Sequence, residues 1–74
     1  MMKQFDYEAF CARMDELRMN TNMSYTKLAE KIQVDRFSLS KYIRGVNMMS
    51  VETLFKFCAY FGCSADWLLG LEDD

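Results

Sequence analysis

The sequence predicts an all-α fold of five short helices organised around a helix-turn-helix, and three observations predict it. In residues 24–45, Leu28, Ala29 and Ile32 fall on one side of a first helix and Val34 fills an elbow. Leu39, Tyr42 and Ile43 then repeat at i, i+3, i+4 on a second helix. Proline, the commonest helix breaker, does not occur, and glycine stands only at 45, 62 and 70, each where a helix should stop. Asp6, Ser24, Asp35, Ser50 and Ser64 each precede an apolar-periodic run, as residues that accept a bond from an orphan N–H at a helix start should.

The first helix is expected over 7–19, with Tyr7, Phe10, Cys11, Met14 and Leu17 as its buried stripe. Asn20, Thr21 and Asn22 form a polar break. Ser24 caps the second helix, 25–32, although Lys27 stands where a capping box would place Glu or Gln. Residues 33–35 make the turn, and Asp35 caps the third helix, 36–44. After a loop at 46–49, Ser50 opens the fourth helix with the stripe Val51, Leu54, Phe55, Cys58 and Phe61. Ser64 caps a short fifth helix ending near Leu69, and 71–74 reads as a frayed tail.

Seventy-four residues suit one small domain over 1–74, in which only about 60% of the unfolded surface is buried. Cys11, Cys58 and Cys63 are an odd, scattered set, which argues for free thiols in a reducing cytoplasm rather than for disulfides or a zinc site. With no histidine, no glycine-rich phosphate loop and no metal-ligand spacing, catalysis has no support. Neither a cofactor nor a small-molecule ligand is expected, and no apolar run approaches the ~20 residues of a membrane span.

The net charge of −2 looks unpromising for a nucleic-acid partner, so its distribution matters. Residues 23–50 carry five cations against two acids, a local +3, whereas residues 51–74 carry one cation against five acids, a local −4. A phosphate backbone responds to the local potential more than to the total. Between the core positions of the third helix stand Arg36, Phe37, Ser38, Ser40, Lys41 and Arg44, which must point elsewhere. One face anchors and the other is on offer, as a groove-reading helix requires.

Residues 24–70 resemble the phage Cro/repressor-type helix-turn-helix DNA-binding family. The resemblance rests on Leu28-Ala29-Glu30-Lys31-Ile32, Val34, Leu39-Ser40-Lys41-Tyr42, Arg44-Gly45, Ser50-Val51-Glu52-Thr53-Leu54 and Gly62-Cys63-Ser64-Ala65-Asp66-Trp67-Leu68-Leu69. It implies a cytoplasmic, nucleoid-associated regulator of prokaryotic or phage type that occupies double-stranded DNA. Repression needs only occupancy, whereas activation needs a further contact surface. The family's base-contacting positions correspond to Arg36, Phe37, Ser40 and Lys41. Arg36 is suited to guanine O6 and N7 and Phe37 to a thymine methyl, although Phe37 could equally pack over the second helix or sit in a protein interface. Ser38 fits the helix N-terminus better than a base. Phosphate-contacting positions correspond to Tyr25, Arg44 and Asn47, with Lys27 and Ser50 as further candidates.

Four residues depart from the family pattern. Tyr25 replaces a common glutamine, Gln33 a turn glycine and Met49 a frequent proline. Ile43 replaces a glutamate that in many relatives pairs with an arginine at the position of Arg18. Deprived of that partner, Arg18 must find another acid, stay in water or turn to a phosphate; it is expected to be more exposed than its counterparts and is a further phosphate-contacting candidate. The surplus aromatics also leave open a helix-turn-helix domain used for protein binding, as in an antirepressor. They equally suit a homodimer beside the fifth helix through Phe57, Tyr60, Trp67 and Leu71, with Trp67 alternatively sealing the fourth helix to the fifth.

Overall fold

The computed structural model describes residues 3–72. Five helices follow one another: α1 (Tyr7–Asn20), α2 (Tyr25–Ile32), α3 (Arg36–Ile43), α4 (Val51–Phe61) and α5 (Ala65–Leu69), with no strand among the described residues. None of these helices is long and apolar enough to cross a membrane. Each begins on the residue expected to cap it. Asp6, Ser24, Asp35, Ser50 and Ser64 accept from the backbone N–H three residues on, at 2.9–3.1 Å. Such a cap contributes about 1 kcal/mol and fixes where each helix starts.

The five helices also end alike. A residue with positive φ follows each one, and the next N–H bonds back to the carbonyl five residues earlier: Met23 to Arg18, Val34 to Ala29, Val46 to Lys41, Cys63 to Cys58 and Leu71 to Asp66. This closure satisfies carbonyls that the helix leaves free. Glycine supplies the left-handed residue in three cases and Asn22 in a fourth. Gln33, at φ 59°, is the misfit, because a Cβ there costs roughly 1 kcal/mol.

Two helix ends differ from expectation by one residue. α1 continues to Asn20 because the Thr21 hydroxyl donates to the Arg18 carbonyl at 2.9 Å and supports a further turn. α3 stops at Ile43, leaving Arg44 as its C-cap. The tail is not frayed through Leu71 and Glu72. The Leu71 N–H closes α5 at 2.7 Å, its carbonyl accepts from the Lys3 ammonium, and Glu72 takes the Ser64 hydroxyl at 2.7 Å. Asp73 and Asp74 lie outside the described residues.

Met14 of α1, Leu28 of α2, Leu39 of α3, Phe57 of α4 and Leu68 of α5 are fully buried against one another. Met49, where relatives often carry proline, folds into this core as well. α4 is rotated from its expected stripe. Val51 and Phe55 are 83% and 72% exposed, whereas Thr53 and Phe57 are buried and Leu54, Cys58 and Phe61 half-buried. The helix is apolar on two faces, and the ring pair Phe57–Phe61, 4.8 Å between centroids, fills the core better than Val51 and Phe55 would. Phe57 is therefore withdrawn as a dimer-surface residue. Trp67 is half-buried near α1, with the Arg13 guanidinium over its ring, while Tyr60 and Leu71 remain exposed.

Phe57→Ala should cost about 3–5 kcal/mol in urea unfolding, most of what so small a domain has, while Phe55→Ala should stay within about 0.5 kcal/mol. Equal effects would contradict the observed rotation of α4. Gln33→Gly should raise stability by roughly 1 kcal/mol, read as a higher Tm.

Candidate nucleic-acid interface

α3 acquires its orientation from two buried side chains. Leu39 and Ile43 lie one helical turn apart and enter the core, so the opposite side of the helix must face water. Arg36, Phe37 and Lys41 are exposed, with Ser40 half-buried. Arg36, Phe37 and Ser40 line one cleft with the start of α2, and Lys41 is exposed one turn beyond Phe37.

The start of this helix is held by Asp35. Its carboxylate accepts from the Ser38 N–H at 2.9 Å and the Ser38 hydroxyl at 3.1 Å, which confirms Ser38 as a helix-start residue. Those bonds, the backbone one foremost, hold the Asp35 carboxyl below its ordinary range. No ion pair engages Arg36 among the described residues. Instead its guanidinium lies 4.7 Å over the Phe37 ring. Phe37 stands 63% exposed beneath the arginine.

A shallow cleft of about 230 Å³ opens between the start of α2 and the start of α3, lined by Tyr25, Thr26, Arg36, Phe37 and Ser40. Thr26 escaped the sequence reasoning. Its signal was its place one residue after Tyr25, in the helix start that faces α3. Lys27 and Arg44 are exposed on either side, and the Arg44 Nε donates to Ser40 Oγ at 3.0 Å. Asn47 presents its side chain from a loop pinned to α1, where the Tyr7 hydroxyl donates to the Asn47 carbonyl at 2.8 Å. The Ser50 hydroxyl is committed to capping α4 and bonding Thr53, which weakens it as a phosphate ligand.

Arg18 corrects an expectation. It is neither exposed nor offered to a phosphate, for its side chain retains only 18% exposure and pairs with Asp15 at 2.7 Å. Its guanidinium also donates to the Met23 carbonyl at 2.7 Å and lies 4.4 Å over the Tyr25 ring. The acid one turn back replaces the partner lost at Ile43. Arg18 thereby becomes a brace that holds the Tyr25 ring at the start of α2. The thiols play no part on this face. Cys11 is buried and donates to the Tyr42 carbonyl, while burial and the adjacent Cys63 push Cys58 up to about 11. No metal-holding cluster of acids and thiols occurs among the described residues.

A helix-turn-helix family model matches residues 14–68, which take in α2, the turn, the outward-facing α3 and α4. The chain belongs to the Cro/repressor-type helix-turn-helix DNA-binding family. Membership makes it a DNA-binding regulator of transcription. Among solved structures it is similar to a hypothetical transcription factor, NHTF, from Neisseria, with 26% identity and a TM-score of 0.74 over 93% of this chain and 82% of that one. Among curated proteins none matches it.

The depressed Asp35 carboxyl sets a pH dependence. A folded-state pKa below the unfolded one stabilises above the ordinary value of 3.8, and that contribution is lost as pH falls through the folded value. The urea midpoint of the wild type should therefore drop on acidification below about pH 4. Asp35→Asn, which still caps but does not titrate, should show a shallower drop. Parallel acid curves would contradict this account of the α3 start.

Proposed function

We propose that the protein is a sequence-specific repressor of prokaryotic or phage type that lays the first turns of α3 in the major groove. The supporting observation is that Leu39 and Ile43 are buried while Arg36, Phe37 and Lys41 of the same helix are exposed, and that Arg36, Phe37 and Ser40 line one cleft with the start of α2. The Arg36 fork, held in no ion pair among the described residues, reads a guanine, a contact worth about 1–3 kcal/mol of discrimination. Lys41, farther along the same face, reaches a base or a phosphate. Tyr25, Lys27, Arg44 and Asn47 grip the backbone on either side, where contacts set register without carrying sequence. The dipole at the start of α2 favours a phosphate beside Tyr25.

Two copies act together on a two-fold site, since one module covers only about 600–1,000 Å² and reads a half-site. The surface that supports pairing is the outer face of α4 rather than α5. Val51 and Phe55 project beside a cleft of about 380 Å³ whose wall includes Cys58 and Cys63 and no charged side chain. A two-fold contact needs knob and hole on the same patch, and this patch carries both.

Selection from a random duplex pool at low salt, with Arg36→Ala in parallel, tests the function. Wild type should enrich a palindromic motif and the variant should lose its guanine. Enrichment by neither would favour the protein-binding alternative through the α4 face. On the enriched site, Lys27→Ala should weaken binding evenly across sequences and reduce the salt slope by about 1. Phe55→Ser should abolish cooperative filling of the two half-sites while leaving half-site affinity intact, as read by sedimentation and titration.

A further inference from the structure

Arg36 and Phe37 are neighbours in sequence, and such neighbours on a helix do not ordinarily face each other. Here the long arginine arm folds back so that its guanidinium lies 4.7 Å from the Phe37 ring centroid. The adjacent Asp35 carboxylate is occupied by the Ser38 N–H and hydroxyl, and no carboxylate pairs with Arg36 among the described residues. A cation over an aromatic face is held against it at an exposed site by about 2–5-fold in population.

Phe37 is otherwise a costly choice. It is 63% exposed on a face shared with Ser40 and Lys41, and it forms no part of the core. The major groove offers a ring one apolar group, the C5-methyl of thymine. The cleft that Phe37 shares with Tyr25, Thr26 and Ser40 is open beside it.

Building on the DNA-reading function above, we propose that Arg36 and Phe37 form a single reading unit for two adjacent bases. Phe37 is a positioning residue that holds the Arg36 fork for guanine N7 and O6. Its ring edge meets the methyl of a neighbouring thymine. Guanine and methyl recognition are then coupled: a methyl contact fixes the ring, and the ring fixes the fork. Held in this way, the arginine loses less freedom on binding than a solvated one would.

The test uses the site enriched by the full chain. Affinities are measured for that site and for two altered forms, one with 7-deazaguanine at the guanine and one with uracil replacing the adjacent thymine. The proteins are wild type, Phe37→Leu and Phe37→Ala, with circular dichroism confirming equal helix content. Wild type should lose about fivefold or more on either altered site. Phe37→Leu keeps an apolar contact for the methyl but has no aromatic face, so its guanine penalty should shrink about 2–5-fold while its uracil penalty persists. Phe37→Ala should show both penalties reduced. A guanine penalty that is the same in all three proteins overturns the unit and leaves the DNA reading standing. No enriched site for the wild type overturns that reading and the unit with it.

Discussion

Burial of Leu39 and Ile43 is the constraint on which the proposed DNA-facing surface depends. An eight-residue helix is marginal in isolation, so α3 exists because it is docked rather than because of its propensity. Removing two large aliphatic side chains from water contributes about 1.5–3 kcal/mol each, comparable with the stability of so small a domain. The same contacts fix the rotation of the helix about its axis. A slip of one residue would bury Ser40 and expose Leu39. Arg36, Phe37 and Lys41 are therefore presented by the packing beneath them, and the chemistry of the outer face is free to vary without disturbing the core.

The helix ends make this arrangement stiff. All five helices open on a side-chain cap and close with the same backward backbone bond, so few polar groups at the corners are left to water alone. The one costly corner is Gln33, between α2 and α3, where a side chain occupies a left-handed position. Its carbonyl accepts from the Lys56 ammonium of α4 at 3.2 Å, which ties the turn to the next layer of the structure. Arg18 does comparable work at the start of α2, joined to Asp15, the Met23 carbonyl and the Tyr25 ring. Both sides of the cleft are thus braced from behind.

Much of this was legible in the sequence because caps, left-handed stops and the i, i+3, i+4 stripe of α3 are local signals. They placed every helix within a residue and left Arg36, Phe37 and Lys41 outside the core. What was not legible is long-range. α4 is apolar on two faces, so periodicity alone could not choose between Phe55 and Phe57 as the core ring; the shape of the remaining core chose Phe57. Arg18 looked orphaned because Ile43 had replaced its distant partner, yet an acid three residues earlier on the same helix took over. Leu71 looked like tail because a closure made through Gly70 has no apolar pattern of its own. The stacking of Arg36 on Phe37 was hidden for the opposite reason, since sequence neighbours are not expected to meet on a helix.

The central claim is that the exposed side of α3 carrying Arg36, Phe37 and Lys41 is the surface that meets DNA. Amide chemical shifts of the full chain, followed by NMR as a mixed-sequence duplex is added at low salt, test it most directly. Changes should concentrate at the start of α2, along the outer positions of α3 and in the loop through Asn47, all reversed by added salt. Shifts centred instead on Val51 and Phe55 of α4, with α3 unmoved, would contradict it.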